Sequence, residues 1–377
     1  MLPVAMNRWL NEAIEALTSA KGKPTITVMP DFFLDTIVSY EADLTNLLTD
    51  LTLLADQGGG SLPLTKQMVM RGGNAANTSS ALARLGARVR LISVTSELGL
   101  NLLKWFMAGL DVDLSGVRCN GELSSTVSIE LKHKGRLVNI MVSDPGTLAK
   151  YGPEWLTERE YSLMEDADVL CLLNWTANRR GTELIKAVLQ RLKKQGKPKI
   201  FLDTGDPSRR AGEVKTLIDE VLKSGLIDAL SVNENEALWY ASCLNEDIAR
   251  LKPKGPSDEL VLTAARLLHE ALRVKVYLHT ANYSASFEED GFTLLPTFDV
   301  QVKRVTGAGD AWNAGNVYCW ALDIPSPAKL IVANAVAGYY ISSEKGSHPN
   351  LNELIGFMRR QHLKPLLIQG GVSFKFY

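Results

Sequence analysis

The stretch Arg304-Val-Thr-Gly-Ala-Gly-Asp-Ala-Trp-Asn-Ala-Gly-Asn316 carries the strongest local signal in this chain. Residues 298–302 before it are predicted as a strand. Residues 311–322 after it are predicted as a helix, because they contain no proline and enough apolar side chains. Gly307 and Gly309 then lie at a strand-to-helix turn. The free N–H groups and the positive end of the helix dipole at such a turn predict a pocket for an anion.

Asp310 stands at the mouth of the same helix. The helix dipole should keep its carboxylate ionised, so that it can accept a proton beside the bound anion. A phosphate cradle next to a carboxylate base is what phosphoryl transfer to an alcohol requires. The competing interpretation is an N-cap aspartate after a glycine-rich turn, and this segment alone does not decide between the two.

The composition limits the class of protein. The chain has 377 residues, enough for one large α/β domain with an appendage or for two domains. Its 41 basic and 42 acidic residues give a net charge of −1, so no overall field favours nucleic acid or an anionic membrane. Four scattered cysteines, no apolar leader and no long apolar run lead us to expect a soluble cytoplasmic protein.

Short apolar strands alternate with helices along most of the chain, which predicts an α/β fold with a mostly parallel sheet covered on both faces. The predicted strands are 25–29, 89–94, 168–173, 198–203, 227–232 and 274–279, and the predicted helices are 75–85, 182–194, 213–223 and 259–271. Residues 36–70 and 112–145 break this rhythm and predict a small separate sheet that acts as a lid. The expected units are a helical extension (1–24), a main domain (25–360) and a tail (361–377).

A second glycine motif, Arg71-Gly-Gly-Asn-Ala-Ala-Asn77, precedes a run of small residues. Gly72 and Gly73 would let the backbone approach a ligand closely, and Asn77 can both donate to and accept from hydroxyl groups. The alternative interpretation of the motif is a tight turn into a helix that stops at Gly86.

Asn233 and Glu236 follow the strand predicted at 227–232 and stand three residues apart, so both can face one side of an opening helical turn. An amide and a carboxylate there suit Mg²⁺ held through water beside phosphates. A capping pair at a helix start is the alternative.

Taken together, these motifs resemble the ribokinase (PfkB) family of sugar and nucleoside kinases, over roughly residues 25–360. The first family signature corresponds to Gly72-Gly73-x-x-x-Asn77, and the more specific second one to Thr306-Gly307-Ala308-Gly309-Asp310. The resemblance implies a ribokinase-like α/β fold with a small β-sheet lid. It also implies a Mg²⁺-dependent kinase that moves the terminal phosphoryl group of ATP or ADP to a hydroxyl of a sugar, sugar phosphate or polyol.

The resemblance assigns roles to matching positions. The residues implied for catalysis are the base Asp310 and, through their amides, Gly307, Ala308 and Gly309. The residues implied to bind the acceptor are Asp35, Gly72, Gly73 and Asn77. The residues implied to bind the nucleotide are Asn233, Glu236, Thr280 and Asn334, the first two also holding Mg²⁺ through water.

Arg304 departs from the family pattern, in which many relatives carry an aspartate that helps to bind a monovalent cation. A guanidinium can supply fixed positive charge there, so we expect activity without K⁺, unless Arg304 simply points to solvent. Basic residues in or beside the predicted site loops would favour a phosphorylated sugar if they converge. These are Arg71, Arg209, Arg210 and Lys303.

Other functions are weighed against the kinase. A nucleoside kinase of the same family remains open, as does a non-catalytic regulatory relative, although the base and both glycines are intact. A dinucleotide-dependent oxidoreductase would need G-x-G-x-x-G early in the chain, and a P-loop kinase would need G-x-x-x-x-G-K-[ST]. Neither pattern occurs. The expected partners are a small sugar-like molecule and a second copy paired through the lid, not nucleic acid or a membrane.

Overall fold

The structure is a computed structural model that describes residues 2–62, 65–192, 198–252 and 255–366. The strands are β1 Thr25–Met29, β2 Phe33–Asp43, β3 Lys66–Gly72, β4 Arg88–Val94, β5 Val112–Arg118, β6 Ser124–His133, β7 Arg136–Asp144, β8 Val169–Leu173, β9 Lys199–Asp203, β10 Ala229–Val232, β11 Lys275–His279, β12 Tyr283–Glu288 and β13 Gly291–Pro296. The helices are α1 Leu2–Ser19, α2 Leu44–Asp56, α3 Asn74–Arg84, α4 Glu97–Phe106, α5 Glu158–Glu165, α6 Gly181–Leu192, α7 Val214–Glu220, α8 Glu234–Ser242, α9 Glu246–Leu251, α10 Asp258–Leu272, α11 Ala308–Ala321, α12 Ala328–Ser342 and α13 Leu351–Arg360.

Within the described residues, nine strands form the main sheet in the order β13-β12-β11-β10-β9-β8-β1-β4-β5. The seven strands from β11 to β5 run parallel, and β12 and β13 are antiparallel additions at one edge. Both faces are covered by core, as β8 illustrates: Leu170 and Leu172 belong to one buried cluster, and Val169, Cys171 and Leu173 to the other. The predicted α/β fold with a mostly parallel sheet is therefore confirmed.

In the part of the chain that the structure describes, four strands form a smaller sheet in the order β3-β2-β6-β7. Its existence was predicted, but the predicted segments need correction. Val112–Arg118 is not part of it, because this strand pairs in parallel with β4 at the edge of the main sheet. Leu44–Asp56, inside the other predicted segment, is a helix whose first turn is capped by the side chain of Asp43.

The two faces of the small sheet differ in polarity. Asp35, Thr126 and Ser143 are neighbours across β2, β6 and β7 on one face. The next row, on the opposite face, contains Val69, Thr36, Val127 and Val142. Successive residues of a strand point to opposite faces, so the sheet presents polar groups to one side and apolar groups to the other.

The strand predicted at residues 298–302 is wrong. Phe298 makes only an isolated bridge to Leu363, and the Asp299 amide donates to the His362 carbonyl at 2.8 Å. Apolar and polar side chains alternate in this segment as in a strand. The chain has, however, left the sheet after Pro296, and it pairs only briefly with the residues that follow α13.

The chain termini pack against the main domain where the structure describes them. The predicted N-terminal helix is α1, and it buries Ala13 and Leu17 in the core cluster that also contains α12. Of the predicted tail 361–377, residues 367–377 lie outside the described residues. Within the described ranges, none of the helices is both long and apolar enough to cross a membrane.

Candidate active site

A cavity of about 860 Å³ lies between the carboxyl ends of the main-sheet strands and the polar face of the small sheet. The strand ends contribute Asn174, Asp203, Asn233 and His279, and the small sheet contributes Phe33, Asp35, Thr126, Met141 and Ser143. The start of α11 contributes Thr306, Gly307, Gly309 and Asp310. The cavity thus lies where ligands bind in open parallel sheets.

The turn into α11 has the geometry of an anion pocket. Gly307 is the N-cap with φ +86°, and a side chain there would come within 2.6 Å of the Tyr340 hydroxyl, so both backbone and space require glycine. The Ala308 amide donates to the Val305 carbonyl at 3.1 Å and is committed to the turn. The amides of Gly307 and Gly309 have no acceptor among the described residues. Two of the three predicted amides are therefore available to a ligand.

Asp310 lies in the first turn of α11, largely buried at 8% exposure. Its Oδ2 accepts a hydrogen bond from the Asn77 side-chain amide at 3.0 Å, while Oδ1 has no donor within the described part of the chain. The helix dipole is expected to keep this carboxylate ionised, and burial acts in the opposite direction. Burial raises the pKa of the Asp310 carboxyl well above its usual value, and the charges of Asp203 and Asp31 raise it further.

Asn77 connects the two predicted signatures. Its Oδ1 accepts from the Arg71 guanidinium Nε at 3.2 Å, and its Nδ2 donates to Asp310. Burial lowers the pKa of Arg71 to about 10, while the negative charges of Asp310 and Asp35 act in the opposite direction. The guanidinium therefore remains charged near neutral pH beside the predicted base.

The glycine pair of the first signature has two distinct tasks. A side chain on Gly72 would lie 2.1 Å from the Asp35 carboxylate, so Gly72 makes room for Asp35 and does not itself line the cavity. Gly73 lines the cavity at φ +88° and caps α3 beside Asp31. Asp35 lies within β2, and burial followed by the charge of Asp31 raises its pKa to about 6.

Asn233 and Glu236 form a capping box at the start of α8. The Asn233 Oδ1 accepts from the Glu236 amide at 3.0 Å, and the Glu236 carboxylate accepts from both nitrogens of Asn233 at 2.9 Å. Both residues also line the cavity. Burial and the neighbouring Asp203 charge raise the pKa of Glu236 well above its usual value. The capping interpretation is thus correct, and it leaves lone pairs of the carboxylate for a further ligand.

Thr280 and Asn334, which are expected near the nucleotide, both lie outside the lining of the cavity. Asn334 is buried in α12 and is not brought to the cavity, because its Oδ1 accepts from the Trp312 indole at 2.8 Å and its Nδ2 donates to the Pro296 carbonyl at 3.1 Å. Thr280 follows β11 and uses its hydroxyl to close the turn to β12, donating to the Tyr283 carbonyl at 2.8 Å. Neither side chain lines the cavity.

Arg304 does not point to solvent. Its Nη2 donates to the Glu344 carbonyl at 3.0 Å, and its guanidinium lies 5.7 Å from the Tyr340 ring centre. The Tyr340 hydroxyl in turn donates to the Thr306 carbonyl at 3.1 Å. A positive charge is therefore fixed between the turn that begins α11 and the segment after α12.

The basic residues considered from the sequence only partly converge. Arg209 lines the cavity, as does Arg179, which sequence reasoning missed. Arg210 also lines the cavity, but its guanidinium is bound within the protein, donating to the Trp175 carbonyl at 2.8 Å and pairing with Glu213. Lys303 is exposed and pairs with Glu344 at 3.4 Å.

Other polar residues of the cavity were not singled out as site residues from the sequence. Asp203, noted there only as the end of a strand, accepts from the Asn313 amide at 2.7 Å, which ties β9 to α11. Asp31 is buried and does not itself line the cavity; it accepts from the side-chain amide of Asn174, which does line it, at 2.7 Å and from the Ala75 backbone at 2.8 Å. The available signal was an acidic residue at a strand's carboxyl end together with an asparagine one helical turn after Asp310.

Comparisons with known proteins place this geometry in context. The chain matches the model of the pfkB family of carbohydrate kinases over residues 44–353. It is 27% identical over 314 residues to the ATP-dependent ribose-1-phosphate kinase of Halopiger xanaduensis, covering 82% of this chain and 94% of that protein. The structure resembles Arabidopsis thaliana ribokinase complexed with ribose and ATP, with a TM-score of 0.69, 19% identity and coverage of 90% and 99% of the two chains. It also resembles Xylella fastidiosa fructokinase with bound ATP, with a TM-score of 0.65, 16% identity and coverage of 90% and 99%. The predicted ribokinase-like fold is confirmed.

Proposed function

Because this chain belongs to the pfkB family of carbohydrate kinases, we propose that it transfers the terminal phosphoryl group of ATP to a hydroxyl of a sugar phosphate. The observation that carries the proposal is the neighbourhood of Asp310. A carboxylate with one uncommitted oxygen lies in the same helical turn as the free amides of Gly307 and Gly309, and all three line one cavity. Phosphoryl transfer needs a proton acceptor and an anion pocket within reach of one another.

In the proposed reaction, Asp310 Oδ1 accepts the proton of the acceptor hydroxyl as that oxygen forms a bond to the terminal phosphorus. The bond between this phosphorus and the β–γ bridging oxygen breaks, and ADP leaves with the electron pair. The Gly307 and Gly309 amides hold the charge on the transferring group. The raised pKa of Asp310 suits this role, because a carboxylate that binds a proton more readily is a stronger base.

Asp35 and Asn77 are proposed to bind hydroxyl groups of the acceptor. Both side chains line the cavity, and the predicted contribution of Gly72 becomes indirect, since its missing side chain makes room for Asp35. Gly73 and the adjacent start of α3 lie at the same wall. Together these groups would place the reacting hydroxyl in front of Asp310.

Mg²⁺ fits the carboxylates at the ends of β9 and β10. Burial and, after it, the charge of Asp203 raise the pKa of Glu236, and a cation beside the two carboxylates would offset both effects. Asn233 and Glu236 would hold the ion through water bound to the carboxylate lone pairs that the capping box leaves open. Mg²⁺ generally keeps several waters and binds substrate phosphates. In the described ranges, no group of three or more His, Cys, Asp or Glu side chains could hold a metal ion. When bound, Mg²⁺ would neutralise phosphate charge.

A phosphorylated acceptor is supported by two arginines. Arg179 and Arg209 line the cavity with exposed side chains, and neither has an ion-pair partner in the described parts of the chain. Arginine binds phosphate through paired N–H groups. The similarity to a protein named as a ribose-1-phosphate kinase agrees with this choice.

The test is a matrix of donors and acceptors. Purified protein would be assayed with ATP and with ADP against free sugars, sugar phosphates, polyols and nucleosides, with Mg²⁺ present. We expect the highest kcat/KM for ATP with a sugar phosphate, and a loss of that preference in Arg179→Met and Arg209→Met. A preference for nucleosides would instead favour the alternative in which Phe33, which lines the cavity, stacks on a base. Nucleotide binding without turnover on any acceptor would indicate a regulatory relative.

The proposed partner at the lid is a second copy of this chain. On the face of the small sheet away from the cavity, Val69, Val127, Ile140 and Val142 are between 40% and 65% exposed. Contiguous exposed apolar groups mark interaction surfaces, and a two-fold axis would let the same row serve both copies. Light scattering coupled to size-exclusion chromatography would give the molar mass in solution and so distinguish a monomer from the proposed dimer.

A further inference from the structure

His279 stands at the end of β11 beside the anion pocket. It lines the cavity, and a side-chain carbon on Gly309 would lie 3.3 Å from its Cε1 and 4.0 Å from its Nε2. One edge of the imidazole thus faces the turn whose amides are assigned to the transferring phosphoryl group. The predicted catalytic set did not include this residue.

The Nε2 atom of His279 is shielded from solvent and makes no hydrogen bond to any described residue. A buried ring nitrogen without a partner is costly, since the group loses its bond to water and gains nothing in exchange. In a cavity that binds a ligand, such a cost is offset when the ligand supplies the missing partner.

The ring is held from behind by a buried chain of contacts. The His279 ring packs against the Trp312 ring, with ring centres 5.0 Å apart and the ring planes tilted by 32°. The Trp312 indole donates to Asn334 at 2.8 Å, and Asn334 donates to the Pro296 carbonyl at 3.1 Å. Asn334 therefore acts on the site indirectly, by orienting the indole against which the imidazole packs.

Burial and the neighbouring charges act in opposite directions on the pKa of His279. Burial lowers the pKa of the imidazole, while the carboxylates of Asp203 and Glu234 raise it. A neutral imidazole still carries one N–H, and an approaching phosphate favours the tautomer that directs it toward the anion.

We propose that His279 binds the phosphoryl donor, its Nε2–H donating a hydrogen bond to a phosphate oxygen next to the Gly307 and Gly309 amides. The inference rests on the proposed function, since it requires a nucleotide phosphate at this turn. It assigns a donor-binding role to a side chain at the end of β11, in addition to the backbone amides of the turn.

The decisive variants are His279→Phe, which keeps a ring against Trp312 but has no N–H, and His279→Gln, which keeps a donor. Isothermal titration would compare ATP with adenosine, which has the same base and sugar but no phosphate. We expect His279→Phe to weaken ATP binding by roughly 10- to 100-fold, as for hydrogen bonds to charged groups, and to leave adenosine binding unchanged. His279→Gln should recover most of the loss, and the exposed His362→Gln is the matched control.

Equal ATP affinity in His279→Phe and the unaltered protein would overturn the proposal, as would equal weakening of ATP and adenosine. Thermal melting of each variant separates these results from misfolding, and His279→Leu replaces the Phe variant if the larger ring is not tolerated. In the kinase assay the KM for ATP should rise and the KM for the acceptor should not. If the unaltered protein binds ATP but phosphorylates nothing, the proposed function fails, while the titration still decides the role of His279.

Discussion

The side-chain amide of Asn77 donates a hydrogen bond to Oδ2 of Asp310 at 3.0 Å, although the two residues are separated by 233 positions in the chain. The bond joins the start of α3 to the start of α11. Because Arg71 Nε donates to the other end of the same amide at 3.2 Å, the orientation of Asn77 is fixed. Oδ1 of Asp310 is left as the oxygen that can receive a proton from the acceptor.

Replacing Asp310 with Asn should abolish turnover without weakening nucleotide binding. The substitution is isosteric and keeps a hydrogen bond to Asn77, but an amide cannot take the acceptor's proton. We expect kcat to fall by roughly 10²- to 10⁴-fold, the usual contribution of a general base. Steady-state rates and ATP titration on the same preparation provide the two readouts. Turnover near the original rate would remove Asp310 from the proposed mechanism.

Arg71 should set the pH at which Asp310 becomes active. The guanidinium charge lowers the pKa of the Asp310 carboxyl, against the larger effect of burial. In Arg71→Met that opposing charge is lost, so the pKa rises and the acidic limb of the kcat profile moves to higher pH. Arg71→Lys is the matched control: it keeps the charge, so the limb should stay, while the rate falls because the planar contact to Asn77 is lost. An unchanged limb in Arg71→Met would mean that this charge does not act on the base.

The two signatures could be predicted from sequence because each depends on local backbone geometry. Gly307 needs a positive φ, and Gly73 needs one too, so the motif itself reports the conformation. The bond between Asn77 and Asp310 could not be predicted by spacing, since it depends on how α3 packs against α11. Asn334 lies in a helix with no amphipathic pattern, so nothing local shows that its amide bonds to Trp312 and Pro296 inside the core. Val112–Arg118 alternates like a lid strand, and only its pairing with β4 places it in the main sheet.

Asp35 should make acceptor binding depend on pH near neutrality. Burial and the Asp31 charge raise its pKa to about 6, so the carboxylate form predominates above that pH and the neutral form below it. The ionised form accepts hydrogen bonds from acceptor hydroxyls more strongly. The KM for the acceptor should therefore fall as the pH rises from 5 to 7, and in Asp35→Asn it should be roughly tenfold higher and nearly constant. If the KM for the acceptor in the unaltered protein does not change with pH over this range, the assignment of Asp35 to acceptor binding is contradicted.

Arg304 should make the enzyme independent of K⁺. Its guanidinium is fixed by the Glu344 carbonyl at 3.0 Å and lies beside the Tyr340 ring, and Tyr340 holds the Thr306 carbonyl just before the anion pocket. A permanent positive charge at this position can stabilise the turn electrostatically, as a bound monovalent cation would. Rates in KCl, NaCl and choline chloride at equal ionic strength should agree within about twofold, since remaining differences reflect only general screening. Arg304→Ala should lower kcat, and added guanidinium should restore part of it by binding where the side chain was. A strong K⁺ requirement in the unaltered protein would show that Arg304 does not replace the ion.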